Sequence, residues 1–101
     1  MGLDASGIVK RVGTTVKLVK PGDRVATLCS GAIRSLLRAD ESLVVKVPDA
    51  MSLEDAASLP AAYTVAYQAL CEVGRLMQGE TVLIHSATGG MLCPKDSIHQ
   101  Q

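Results

Sequence analysis

The hydrophobic pattern of this chain changes period at Ser52, and that change limits the possible folds more than any other feature. Before it, short β-branched runs are cut by glycine and proline. Gly7-Ile8-Val9-Lys10-Arg11-Val12-Gly13 is bounded by glycines, and Val16-Lys17-Leu18-Val19 leads into Lys20-Pro21-Gly22-Asp23. The last has the form of a type II turn: proline fixes φ at the second position, and glycine supplies the positive φ needed at the third. Arg24-Val25-Ala26-Thr27-Leu28 leaves that turn as a further strand, and Leu43-Val44-Val45-Lys46-Val47 forms another ahead of Pro48-Asp49. Short strands at this spacing predict a small barrel or sandwich.

After Ser52 the chain reads as helix. Ser52-Leu53-Glu54-Asp55 has the form of a capping box, with Asp55 in the place of the preferred glutamate. Pro60 is expected to interrupt that helix, because the residue before a proline is pushed toward extended geometry. A second helix fits residues 61–73, where Ala62, Val65, Ala66, Ala69, Leu70 and Val73 fall on one apolar face. That face reads as packing rather than chemistry, and Gly74 is its end signal. Thr81-Val82-Leu83-Ile84 then reads as a strand buried on both faces, as in a parallel sheet covered by helices. It runs into His85-Ser86-Ala87-Thr88-Gly89-Gly90. Small residues after a buried strand let the backbone approach a pyrophosphate, whose charge the amides of a following helix can hold.

Composition narrows the rest. The chain has 101 residues, no Phe and no Trp, and its aromatics are Tyr63 and Tyr67, so any core is aliphatic. Ten Lys and Arg balance ten Asp and Glu. With no surplus of cations to release counterions, bulk-charge binding of nucleic acid is excluded. The balance is uneven along the chain: eight cations face five anions in residues 1–50, and two face five in residues 51–101. Cys29, Cys71 and Cys93 form no CxxC pair and lie at no zinc-ligand spacing from His85 or His99. They read as reduced thiols, two of them buried as small apolar residues. With no apolar leader and no apolar run long enough to span a bilayer, the expected location is the cytoplasm.

Taken in order, these segments resemble a known family. The pieces that carry the resemblance are Gly2-Leu3-Asp4-Ala5-Ser6-Gly7-Ile8-Val9, Val19-Lys20-Pro21-Gly22-Asp23-Arg24-Val25 and Gly31-Ala32-Ile33-Arg34-Ser35. Val47-Pro48-Asp49-Ala50-Met51-Ser52, Glu54-Asp55-Ala56-Ala57-Ser58-Leu59-Pro60 and Val65-Ala66-Tyr67-Gln68-Ala69-Leu70 follow. Gly79-Glu80-Thr81-Val82-Leu83-Ile84-His85-Ser86-Ala87 completes the set. The ordered set is similar to the medium-chain dehydrogenase/reductase superfamily. Within it, the set resembles the enoyl reductase domain of an iterative, highly reducing polyketide synthase.

The resemblance implies a mixed α/β fold. A partial GroES-like β-barrel is expected over residues 1–60, and the linking helix, first strand and glycine turn of a Rossmann domain over 61–90. Residues 91–101 form a divergent tail. It implies NADPH as cofactor and an enoyl thioester on an acyl carrier protein as substrate, with hydride passing to the β-carbon. The residues it assigns to the cofactor are Ser86, Ala87, Thr88, Gly89, Gly90 and Thr64. It assigns no catalytic residue, because the family's proton donors have no counterpart here.

Departures qualify each implication. Leu3 and Asp4 stand where zinc-dependent relatives carry His and Glu, so no zinc is expected. The family's threonine falls at Val65, with Thr64 one place early; an aromatic is replaced by Ile33, and the last glycine of the cofactor loop by Leu92. The residue that reads the ribose would lie beyond Gln101. The chain therefore reads as a segment of a longer reductase, inactive and without NADPH when alone. Two other readings fit the same residues: a segment of a zinc-free quinone or alkenal oxidoreductase, and a non-catalytic GroES-like interaction domain that self-associates through an incomplete sheet.

Overall fold

A computed structural model describes residues 1–86, and the chain divides into two compact units, Met1–Ala61 and Ala62–Gln101. In the first unit, β1 (Asp4–Ile8), β2 (Arg24–Leu28) and β3 (Val44–Lys46) form one antiparallel sheet in the order β1-β2-β3. Ser6 lies opposite Ala26, which in turn faces Val45. The turn into β2 closes as its sequence predicts: Asp23 N–H donates to the Lys20 carbonyl at 3.1 Å, and Gly22 has φ +94°.

The strand expected over residues 16–19 is not part of this sheet. Its backbone finds a different partner, since the amides of Lys17 and Leu18 both donate to Glu41 Oε1, at 2.7 and 2.5 Å. A side-chain carboxylate that satisfies two adjacent amides removes the need for a ladder. Glu41 is held in place by a single 3-10 turn, Glu41–Leu43, which Asp40 caps through the Ser42 amide at 2.9 Å.

Helix α1 (Leu53–Ala57) starts where the capping box places it: Ser52 Oγ accepts from Asp55 N–H at 3.1 Å. It packs on β1 and β2, and Ser6 Oγ donates to the Leu53 carbonyl. The interior beneath it is made of small residues. Thr27, Ala32, Val47 and Ala56 are buried, while no large side chain among the described residues is fully buried. Thr27 answers its own burial by donating its hydroxyl to the Leu43 carbonyl at 2.9 Å.

Two carboxylates of this unit sit below the usual aspartate range. Asp23 is lowered first by the Lys20 amide that it accepts and then by Lys46 Nζ at 3.3 Å; Asp40 is lowered by the Ser42 hydroxyl and amide. A carboxylate whose pKa falls on folding stabilises the fold above its unfolded pKa and loses that contribution as pH drops through the folded value. Acid titration followed by circular dichroism is therefore expected to show a loss of stability confined to pH below about 4. Asp23→Asn should flatten that limb while leaving the neutral plateau nearly level. An acid limb of unchanged slope in the variant would exclude Asp23 as a source.

Helix α2 (Pro60–Tyr67) opens on the proline that ends the preceding turn and continues as a wider π turn, Gln68–Val73. Gly74 closes it by donating its N–H to the Ala69 carbonyl at 2.9 Å, and a Cβ at Gly74 would lie 2.7 Å from that oxygen. The apolar face expected over 61–73 is only partly realised: Ala66 is buried, but Val65 and Val73 are 48% and 75% exposed. The π turn explains the end of the pattern, because a wider turn rotates every later side chain off a face laid out at α-helical spacing.

Residues 81–84 differ from expectation as well. They form no strand, and Leu83 is 80% exposed. An apolar run becomes a buried strand only when neighbouring strands pair with it and helices cover it. The described residues of this unit supply no second strand. Of the three thiols, two of which the sequence reads as buried, Cys71 is exposed on the π turn and Cys29 is half-buried.

Candidate functional site

Leu3 and Asp4, which the resemblance sets at the ligand positions of zinc-dependent relatives, stand at the head of β1. Leu3 is 56% exposed, and no group of three or more His, Cys, Asp or Glu converges among the described residues. Asp4 has a different task. Its Oδ1 accepts from Ala61 N–H at 2.7 Å, in the first turn of α2. Leu59, just before the helix, carries no side-chain acceptor, and Pro60 carries no amide. The cap that α2 needs thus comes from a strand 57 positions away.

Asp4→Ala is expected to lower stability by about 1 kcal/mol, as loss of a helix cap does. Asp4→Asn keeps the acceptor oxygen and should stay within a few tenths of a kcal/mol. Urea midpoints measure both, with amide exchange at Ala61 as the local readout. Equal losses in the two variants would mean that the charge, and not the acceptor, matters.

The residues assigned to the cofactor are placed as follows. Thr64 is exposed on α2, and Ser86 is exposed in the turn after residues 81–84, with φ +55°. Ala87, Thr88, Gly89 and Gly90 lie outside the described residues. Neither the Thr64 nor the Ser86 side chain hydrogen-bonds to a described residue. A left-handed residue such as Ser86 is the backbone form from which anion-cradling turns are built.

A groove escaped the sequence reading. It has a volume of about 580 Å³ and runs beside β1 in the first unit, with Val16, Val19, Val25, Leu37, Val44 and Leu53 on its walls. Lys10, Arg11, Arg34 and Arg38 line it as exposed cations. The excess of positive charge in residues 1–50 was its one trace in the sequence.

No protein-family model matches the chain. Individual relatives do. A highly reducing polyketide synthase of Gibberella zeae, ZEA2, is 50% identical over 91 residues, which is 90% of this chain and 4% of the synthase. One from Didymella fabae is 45% identical over 91 residues, 90% of this chain and 5% of the synthase. Among solved structures, the CurK enoyl reductase superposes with a TM-score of 0.87 at 32% identity, covering 98% of this chain and 30% of that one. Over these residues the chain is a homologue of highly reducing polyketide synthases, and it shares its fold with an enoyl reductase. The human synaptic vesicle membrane protein VAT-1 homolog-like protein shares the fold more distantly on the structural scale. Its TM-score is 0.80 at 39% identity, over 90% of this chain and 30% of that one. The chain thus spans about 4% of the length of the curated synthases it matches. No helix among the described residues is long and apolar enough to cross a membrane.

Proposed function

We propose that this chain is an enoyl reductase segment that serves NADPH-dependent reduction of an enoyl thioester within a cytoplasmic polyketide synthase. The observation that carries the reading is the superposition on the CurK enoyl reductase along 98% of the chain. In this reading the domains divide as residues 1–60, the GroES-like part, and residues 61–90, the linking helix with the cofactor turn. Bound NADPH would supply a hydride to the β-carbon of the unsaturated thioester, with a proton added at the α-carbon to balance the charge. The chain's own contribution is positional. Ser86, with φ +55°, comes just before Ala87-Thr88-Gly89-Gly90, residues of the small type that lets a backbone approach a pyrophosphate. Thr64 offers a hydroxyl from α2, and Asp4 fixes where that helix begins.

The test is a graft: this sequence replaces the matching stretch of the CurK enoyl reductase. NADPH oxidation is then followed with a crotonyl thioester, with the ungrafted enzyme as reference. Turnover within tenfold of that reference supports the reading. A folded graft that binds NADPH but does not reduce the thioester overturns it.

A further inference from the structure

We infer that Thr14 is a phosphorylation site, modified by a protein kinase that reads an arginine three places before its acceptor hydroxyl. Such a kinase selects by charge pattern, so it needs a cation at a fixed offset on accessible chain. The sequence offers that spacing twice, as Arg11-Val12-Gly13-Thr14 and as Arg24-Val25-Ala26-Thr27. The fold separates the two.

Thr27 is closed to an enzyme. It lies on the central strand β2, only 7% exposed, and its hydroxyl donates to the Leu43 carbonyl. The guanidinium of Arg24 is occupied by the carbonyls of Pro48, Asp49 and Met51. Thr14 is the opposite in each respect. It stands exposed in the connection between β1 and β2, at a turn closed by Val16 N–H donating to the Gly13 carbonyl at 3.3 Å. Lys10 and Arg11 are exposed as well. Among the described residues, none of these three side chains has a hydrogen-bond or ion-pair partner. The amides of residues 10–15 also donate to no described residue. This stretch can therefore be drawn out into a kinase cleft at the cost of one turn bond, with no strand ladder to break.

The surroundings favour the product too. A phosphothreonine carries a charge of about −1.5 to −2 at neutral pH and three acceptor oxygens. Gly13 and Val16, the ends of the turn, line the groove beside β1 together with Lys10, Arg11, Arg34 and Arg38. The acid of that lining is Glu41, whose Oε1 already accepts from the amides of Lys17 and Leu18. The phosphate thus arrives beside unpaired cations, two of them arginines whose planar fork matches its oxygens, instead of beside a free carboxylate. In the transfer itself, Thr14 Oγ bonds to the γ-phosphorus of ATP as the bond to the bridging oxygen breaks. ADP leaves, and the hydroxyl proton passes to the catalytic carboxylate of the kinase.

The full chain is incubated with magnesium ATP and the catalytic subunit of the cyclic-AMP-dependent protein kinase. Mass spectrometry then counts the phosphate and places it. The expected result is close to one phosphate per chain, on Thr14, with Thr27 unmodified. Arg11→Gln should lower the initial rate at least tenfold, and Thr14→Ala should abolish incorporation. Thr15→Ala should leave the rate within about twofold of the parent. Because the Arg11 and Thr14 side chains have no partner among the described residues, both variants are expected to keep the parent's circular dichroism. Phosphate placed on Thr15, Thr27 or any serine of the parent chain instead of Thr14 would overturn the inference. So would an unchanged rate in Arg11→Gln, or fewer than about one modified chain in ten when the reaction has run to its end.

Discussion

Arg24→Ala is expected to destabilise the Met1–Ala61 unit more than any other single truncation. The Arg24 guanidinium forks onto three carbonyls of one turn: Nη1 donates to Pro48 at 3.1 Å and to Asp49 at 3.3 Å, and Nη2 to Met51 at 2.6 Å. Its own carbonyl accepts from Val47 N–H at 2.9 Å, so one residue ties β2 to the chain leading into α1 from both ends. Hydrogen bonds from a charged donor contribute more than neutral ones, and these carbonyls have water as their alternative partner, so the loss is about 2–3 kcal/mol. A unit of this size has a total stability of roughly 3–9 kcal/mol, which leaves little margin. The melting temperature should fall by roughly 10–20 °C. Arg24→Lys should recover less than half of that, because an ammonium is a point donor and cannot span the 48–51 turn. Thermal melts of the three proteins decide the matter. A lysine variant as stable as the parent would show that charge, rather than the fork, holds the turn.

The dependence on such polar ties follows from the interior. With only Thr27, Ala32, Val47 and Ala56 buried in this unit, apolar burial is modest, and directional bonds carry a larger share. The same fact explains which parts of the fold were legible in the sequence. The Lys20–Asp23 turn, strand β2, the Ser52 cap and the break at Pro60 all depend on neighbours within a few residues, and each lies where its local chemistry puts it. What local pattern could not show is how distant partners compete. Residues 16–19 have the composition of a strand, yet Glu41 takes two of their amides. Asp4 is marked in the sequence only by standing where zinc-dependent relatives carry Glu, and only the fold brings it to Ala61. Residues 81–84 have the apolar character of a buried strand, but burial depends on what lies beside them. For the candidate site, the residue types of the proposed cofactor turn are visible in the sequence, while the positive φ of Ser86, +55°, is not. The groove was hidden because its cations come from two separate stretches that no motif joins.

Gly2→Ala is the second large effect expected, and it separates two causes that glycine usually combines. Gly2 has φ +86°, and its carbonyl accepts from the amides of Gly31 and Ala32 at 2.9 and 3.2 Å. A Cβ there would stand 2.7 Å from Ile33 Cγ1 and 3.2 Å from the Ile33 nitrogen. Gly22 provides the contrast: φ is +94°, but a Cβ at that position would meet nothing within 4 Å. Gly22→Ala should therefore cost only the left-handed backbone, about 1 kcal/mol. Gly2→Ala should cost that and the collision, about 2 kcal/mol in all. Ile33 is 74% exposed, so trimming it removes little native packing. Ile33→Ala introduced alongside Gly2→Ala should then recover the steric part and leave the backbone part, a coupling that a double-mutant cycle in urea reads directly. Additive effects of the two substitutions would place the whole cost in the backbone of Gly2. The pairing of Gly2 with Ile33 would then be a consequence of the turn, and not one of the contacts that hold the 31–33 segment against the head of β1.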